Sequence, residues 1–129
     1  MDNNTAVIGL GSNIEPDKNI ADVRKILRDR YKVLNESEFI VTKPFGYEDQ
    51  ANFINGAVLI QTDTPQEILA RELKQIETEM GRKKADFKFG PRTIDLDIIV
   101  FNDKIVDQDF YERDYLKTSV LQLLPDLKY

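Results

Sequence analysis

The chain of 129 residues and 14.9 kDa is 41% hydrophobic and 32% charged, which suits one domain over residues 1–129 that buries a core without disulfides or a structural metal. It holds no cysteine and no histidine, excluding thiol nucleophiles, imidazole bases, thiolate zinc sites and histidine-containing triads. A net charge of −5 argues against nucleic acid as a partner, and MDNNT at the N-terminus with no long apolar run carries no secretion or membrane signal, so the expectation is a cytoplasmic protein.

Residues 6–10 form a short apolar run that ends at Gly11-Ser12-Asn13, the pattern of a buried strand entering a tight turn. Ile20, Val23, Leu27 and Tyr31 then recur at three- and four-residue steps behind Pro16, predicting an amphipathic helix over 17–30. Residues 33–41 and 53–61 carry the β-branched and aromatic residues of two strands, separated by a loop holding Pro44 and Gly46. Thr64, Pro65 and Glu67 have the spacing of a capping box, Leu69, Leu73, Ile76 and Met80 mark a second helical face, and Gly81 is a stop signal. Residues 94–101 read as a last strand and 116–124 as a short helix.

The order βαββαβ plus a terminal helix is the connectivity of an α+β ferredoxin-like sandwich, with helices on one face of a four-stranded antiparallel sheet. That fold hosts metal transport, RNA binding, small-molecule binding and catalysis, so the site must decide the function.

The most specific stretch is GPRTIDLDI, residues 90–98. On a strand, Ile94, Leu96, Ile98 and Val100 face one way while Asp95 and Asp97 face the other, their Cα atoms roughly 7 Å apart. Two such carboxylates form either a solvated strand face or a cation site. The segment RKKADFKFGPR, residues 82–92, sets five basic residues against one acid in an otherwise acidic chain. It is either a solvated charge run or an anion grip, since arginine offers a planar fork to phosphate and adjacent carboxylates suit Mg²⁺. Phe53 and Asn55 share a strand face and would suit a flat heterocycle, or else Phe53 is core and Asn55 ends a turn. GLGSN at 9–13 lacks both the Walker lysine and the full GxGxxG pattern, so a tight turn accounts for it.

Taken together, VIGLGSN (7–13), TKPFGYEDQANFINGAV (42–58), IETEMGR (76–82) and GPRTIDLDIIVF (90–101) resemble the 6-hydroxymethyl-dihydropterin pyrophosphokinases of folate biosynthesis. The resemblance covers about residues 6–101 and extends more faintly over 113–127. It implies the ferredoxin-like sandwich and Mg²⁺-dependent transfer of diphosphate from ATP to the pterin hydroxymethyl oxygen, leaving AMP. Asp95 and Asp97 match ligands of two Mg²⁺ ions, with Arg82 and Arg92 completing the catalytic set. Glu77, Arg82, Lys84, Arg92, Ile98 and Arg113 match ATP-binding positions, and Thr42, Phe45, Phe53, Asn55, Asp95 and Tyr115 match the pterin pocket. ATP and hydroxymethyl-dihydropterin are the implied partners of a monomer, and at this length no second catalytic domain is expected.

The chain departs from that pattern in four places, one being that the family commonly continues beyond the region matching 123–127. Family members usually carry a Pro-His segment between the acid-pair strand and the next helix; residues 103–113 here read DKIVDQDFYER. Phe53 stands where tyrosine is more usual, and Phe89 where tryptophan is. Besides an active transferase, a pterin- or nucleotide-binding domain with weakened catalysis fits these residues. An RNA-binding module of the same fold fits less well, because it needs a basic sheet face.

Overall fold

The computed structural model describes residues 4–44, 49–81 and 91–129. Its elements are β1 (Asn4–Ser12), α1 (Pro16–Arg30), β2 (Lys32–Glu36), β3 (Ile40–Thr42), β4 (Phe53–Thr62), α2 (Gln66–Glu79), β5 (Asp95–Phe101), β6 (Lys104–Ile105), α3 (Asp109–Glu112) and α4 (Asp114–Leu123). The strands order as β2-β4-β1-β5-β6, with β3 also pairing β4, and every pairing is antiparallel. This is the ferredoxin-like arrangement expected, with the second expected strand split in two and a short edge strand added.

Alternation along the strands builds two cores. Ala6, Ile8, Leu10, Val58, Ile60 and Leu96 meet the stripes Ile20, Val23 and Leu27 of α1 and Leu69, Leu73 and Ile76 of α2. Full burial of each such aliphatic side chain stabilises by about 1.5–3 kcal/mol. The opposite sheet face is not bare. There Val7, Ala57, Ile99 and Val100 pack against Phe110 of α3 and Leu116, Val120 and Leu123 of α4. The expectation that helices occupy one face is thus corrected, because α4 carries its own apolar stripe back across β4 and β1.

Local chemistry accounts for the other departures. The expected strand over 33–41 breaks because β4 is matched by extra residues on its partner edge: the register shifts between Val33 and Asn35, and four steps from Glu36 to Ile40 face three from Val58 to Asn55. At this break Ser37 is buried, and its Oγ accepts the Ala57 N–H at 2.8 Å. The Phe39 ring lies over Gly56, where a Cβ would come 2.4 Å from the ring edge.

The capping box at Thr64 does not form. Pro65 is the N-cap of α2 without a side-chain bond, while the Thr64 N–H donates to Thr62 Oγ1 at 3.1 Å and the Thr62 hydroxyl to Thr64 Oγ1 at 3.0 Å. Gly81 does end the helix, in the left-handed region at φ 91. The β5–β6 hairpin turns through Asn102 and Asp103 at φ 50 and 65, the left-handed pair that a two-residue hairpin loop requires.

Val100 is also corrected. β5 carries one extra residue opposite Val7 and Ile8, so both Ile99 and Val100 turn to the α4 side and Phe101 returns to the first core. Ile94, Leu96 and Ile98 keep the face expected of them.

Candidate active site

The α4 face of the sheet holds a cavity of about 310 Å³ beside that helix. Its floor is β1. Register places Asn55, Gly11 and Asp95 in one row across β4, β1 and β5, and Ala57, Gly9 and Asp97 in the next. Asn55 and Asp95 are therefore two strand spacings apart, about 10 Å, with no side chain between them. Gly9 and Gly11 lie within the strand and neither has positive φ. Space, not turn geometry, is what these positions need. A Cβ on Gly11 would sit 2.6 Å from Asn55 Oδ1, and one on Gly9 would meet Ile99 at 3.3 Å and Leu116 at 3.4 Å. The tight turn expected at GLGSN is overturned: the strand runs through to Ser12.

One wall carries groups for a flat ring. Phe53 and Asn55 share the cavity face of β4, and Asn55 Nδ2 donates to Thr42 Oγ1 on β3, which fixes the amide. Tyr115 lines the opposite side from the start of α4, with Arg113 Nη1 3.4 Å from its hydroxyl. Thr42, Phe53, Asn55, Asp95 and Tyr115 are thus brought to one cavity. Phe45 lies outside the described residues.

Arg92, Asp97 and Arg113 line the same cavity. Burial works against the Arg113 charge, but Tyr115, Asp109 and Asp95 outweigh it and raise its pKa further. Arg82 and Lys84 lie outside the described residues. Glu77 and Ile98 are placed elsewhere: the Ile98 side chain packs on the first core, and Glu77 is 4% exposed beneath the edge of β5. Among the described residues that edge has no strand partner at Leu96, and α2 supplies hydrogen-bond partners instead. Glu77 Oε2 accepts the Leu96 N–H at 2.7 Å, and Lys74 Nζ donates to the Leu96 carbonyl at 2.9 Å.

Sequence reasoning missed Lys74. Its ammonium also donates to Glu77 Oε2 and to Asp97 Oδ1, each at 3.1 Å. Burial would lower its pKa, yet the two carboxylates reverse this and hold it charged. Ser12 and Asn13 were missed as well. Ser12 Oγ donates to the Thr93 carbonyl at 2.6 Å. Asn13 Oδ1 accepts the Arg92 N–H at 2.8 Å, while its Nδ2 donates to Gln50 Oε1 at 2.8 Å and the Ala51 carbonyl at 3.0 Å. One amide thereby ties together the segments that lead into β4 and β5. Only its place directly after the β1 glycines could have signalled this.

For metal, the fit rests on the donor set. Asp95 and Asp97 present hard oxygen ligands to one face, next to glycine and an open cavity, and Asp97 already holds a cation in the Lys74 ammonium. Among the described residues no third Asp or Glu joins them in a metal-ligating group. Two carboxylates with space for water and phosphate oxygens suit Mg²⁺ better than a closed structural site.

The fold thus sets an acid pair beside a pocket lined by aromatic and amide side chains. The sequence profile of the family described as 7,8-dihydro-6-hydroxymethylpterin-pyrophosphokinase (HPPK) matches residues 7–125, and the chain belongs to that family. It is 41% identical over 103 residues to the 2-amino-4-hydroxy-6-hydroxymethyldihydropteridine pyrophosphokinase of Campylobacter jejuni, covering 78% of this chain and 65% of that protein. To the enzyme of the same name from Bacillus subtilis it is 39% identical over 116 residues, 83% of this chain and 65% of the relative. To that of Aquifex aeolicus it is 33% identical over 133 residues, 95% and 82% respectively. The chain thus spans just under two thirds of the length of the first two relatives. Among the described residues no helix is long and apolar enough to cross a membrane.

Proposed function

We propose that the protein transfers the β,γ-diphosphate of ATP to the hydroxymethyl oxygen of 6-hydroxymethyl-7,8-dihydropterin, as a cytoplasmic monomer acting through one domain. The observation that carries this reading is the row Asn55–Gly11–Asp95, which sets a ring-sized pocket directly beside an acid pair. Phe53 and Tyr115 offer faces to the pterin. Asn55, held by Thr42, keeps its carbonyl oxygen and second N–H for the ring edge. Arg92 and Arg113 supply guanidinium forks to the polyphosphate, and Arg82, Lys84 and Phe45 keep the roles that family resemblance gives them.

In the transfer the hydroxymethyl oxygen bonds to the β-phosphorus and loses its proton, while the bond from that phosphorus to the α-phosphate oxygen breaks and AMP leaves. Asp95 and Asp97 would hold two Mg²⁺ ions, which when bound supply charge neutralisation on the phosphates and acidify the attacking hydroxyl. Glu77 serves this site by fixing the edge of β5 and the Lys74 ammonium, which sets where Asp97 points. Ile98 anchors the same strand from the core side.

The test is AMP formation from ATP and the pterin in Mg²⁺, with an EDTA control and Asp97→Asn alongside. Metal-dependent turnover that falls at least a hundredfold in the variant is expected. Ligand binding without AMP in folded wild-type protein would instead mark a binding domain, and full activity of Asp97→Asn would remove the acid pair from the mechanism.

A further inference from the structure

Lys74 occupies an unusual place for a helix-surface lysine. An ammonium has three N–H donors, and here each has a separate acceptor: Glu77 Oε2 at 3.1 Å, the Leu96 carbonyl at 2.9 Å and Asp97 Oδ1 at 3.1 Å. The first two belong to edge closure, since with Glu77 they satisfy the outer edge of β5 at Leu96, where no strand pairs among the described residues. The third reaches further, onto a cavity-facing carboxylate on the other side of the strand, and Lys74 itself lines the cavity. The Asp97 side chain is 39% exposed and that of Lys74 52%, so both remain in reach of solvent and of an incoming ion.

We propose that Lys74 is an internal counter-ion for Asp97 that competes with the divalent cation, so that loading the site exchanges one cation for another on that carboxylate. This rests on the metal role of the acid pair proposed above. The ammonium keeps Asp97 oriented and compensated beside Asp95, whose carboxylate projects from the same face of β5 two residues away. The cost falls on metal affinity, because an incoming ion must displace the Asp97–Lys74 bond or approach a carboxylate already neutralised. Once displaced, the ammonium stays tethered by Glu77 and the Leu96 carbonyl at the cavity wall, where the polyphosphate of the nucleotide would lie. Metal entry is therefore weak alone and strengthens when an anion draws the lysine off Asp97.

The experiment is Mn²⁺ binding, read by electron paramagnetic resonance of the free ion, to nucleotide-free wild type, Lys74→Gln, Lys74→Met and Lys74→Arg, with Asp97→Asn as the metal-site control. Both uncharged variants should bind Mn²⁺ about three- to tenfold more tightly than wild type, the range expected when a half-exposed ion pair and its repulsion of a dication are both removed. Lys74→Arg should stay within about twofold of wild type. A structural role alone would leave affinity unchanged or weaken it, and that result in folded Lys74→Gln overturns the exchange. Lys74→Gln can still donate to the Leu96 carbonyl, so it guards against a variant that merely loosens the edge. If Asp97→Asn binds Mn²⁺ as wild type does, the acid pair is not the metal site and the underlying reading fails instead.

Discussion

Gly11→Ala gives a quantitative test of the cavity floor. The new Cβ would lie 2.6 Å from Asn55 Oδ1, so the amide must retreat by about 0.8 Å to reach ordinary contact. The backbone of β1 is held on both sides by β4 and β5 and cannot yield, whereas the Asn55 side chain can rotate. Rotation breaks its bond to Thr42, at about 1 kcal/mol, and an off-rotamer χ costs up to about 1.5 kcal/mol more. Alanine in place of glycine returns roughly 0.5–1 kcal/mol by restricting the unfolded chain. The net loss of stability is then about 1 kcal/mol, a fall in Tm of a few degrees.

Ligand binding should suffer more. An amide turned away from the ring edge forfeits about two hydrogen bonds, near 2 kcal/mol, or roughly thirtyfold in Kd for the pterin. Gly9→Ala is the comparison: its Cβ meets Ile99 Cγ1 at 3.3 Å and the ends of Ile99 and Leu116 at 3.4 Å, contacts that a shift of a few tenths of an ångström relieves, so stability should change by less than about 1 kcal/mol and pterin affinity by less than about threefold. Fluorescence titration of the pterin with each variant, beside thermal melts, separates the two effects. Wild-type affinity in Gly11→Ala together with lost affinity in Gly9→Ala would refute the placement of the ring edge at Asn55.

Two further outcomes follow from hydrogen-bonded carboxylates. Glu77→Ala leaves the Leu96 N–H without its carboxylate and removes one anchor of Lys74, costing about 2–3 kcal/mol and roughly 10 °C in Tm, while Glu77→Gln keeps an acceptor and should lose about half as much; melting of Glu77→Ala with wild type would show that the edge is held some other way. For Glu36, burial alone would raise the pKa, but bonds from Arg24 at 2.7 Å and Arg28 at 2.8 Å outweigh it and lower it from 4.5. A carboxyl whose folded pKa is depressed stabilises above its unfolded value and loses that contribution as pH falls through the folded one. Urea unfolding should therefore find Glu36→Gln about 1–2 kcal/mol less stable than wild type at pH 7, with the gap closing below pH 4. A gap that stays constant with pH would contradict the sign.

Much of this was legible in the sequence where one physical signal dominated. The stripes Ile20, Val23, Leu27 and Leu69, Leu73, Ile76 have helical period because each meets a single flat sheet face, and both helices lie where the spacing puts them. The acid pair was legible because period-2 alternation needs only local backbone. What escaped depended on partners distant in the chain. The flip of Val100 comes from a bulge set by pairing with Val7 and Ile8, more than 90 residues earlier. The split at Ser37 comes from the register of residues 36–40 against β4, which only that pairing sets. Lys74 was invisible because, within its helix, a lysine three residues before a glutamate reads as an ordinary surface pair; only the edge of β5 gives it a second carboxylate. Gly9 and Gly11 misled because glycine before Ser-Asn signals a turn, whereas here it clears a floor.

The charges around that floor add a constraint that neither stretch of sequence carries alone. The chain is strongly acidic overall, yet Lys43, Lys74, Arg92 and Arg113 face the cavity against Asp95, Asp97 and Asp109, so the lining is close to neutral. A bare polyphosphate would meet carboxylates along β5, and a bare dication would meet the Lys74 ammonium at Asp97. Both are accommodated best when they enter as a compensated pair, with the cation on the aspartates and the phosphates on the arginines and the released lysine. Under the function proposed above, a lining that mixes both signs of charge favours a metal–nucleotide complex over either component. The glycine row leaves the adjoining space for an uncharged ring.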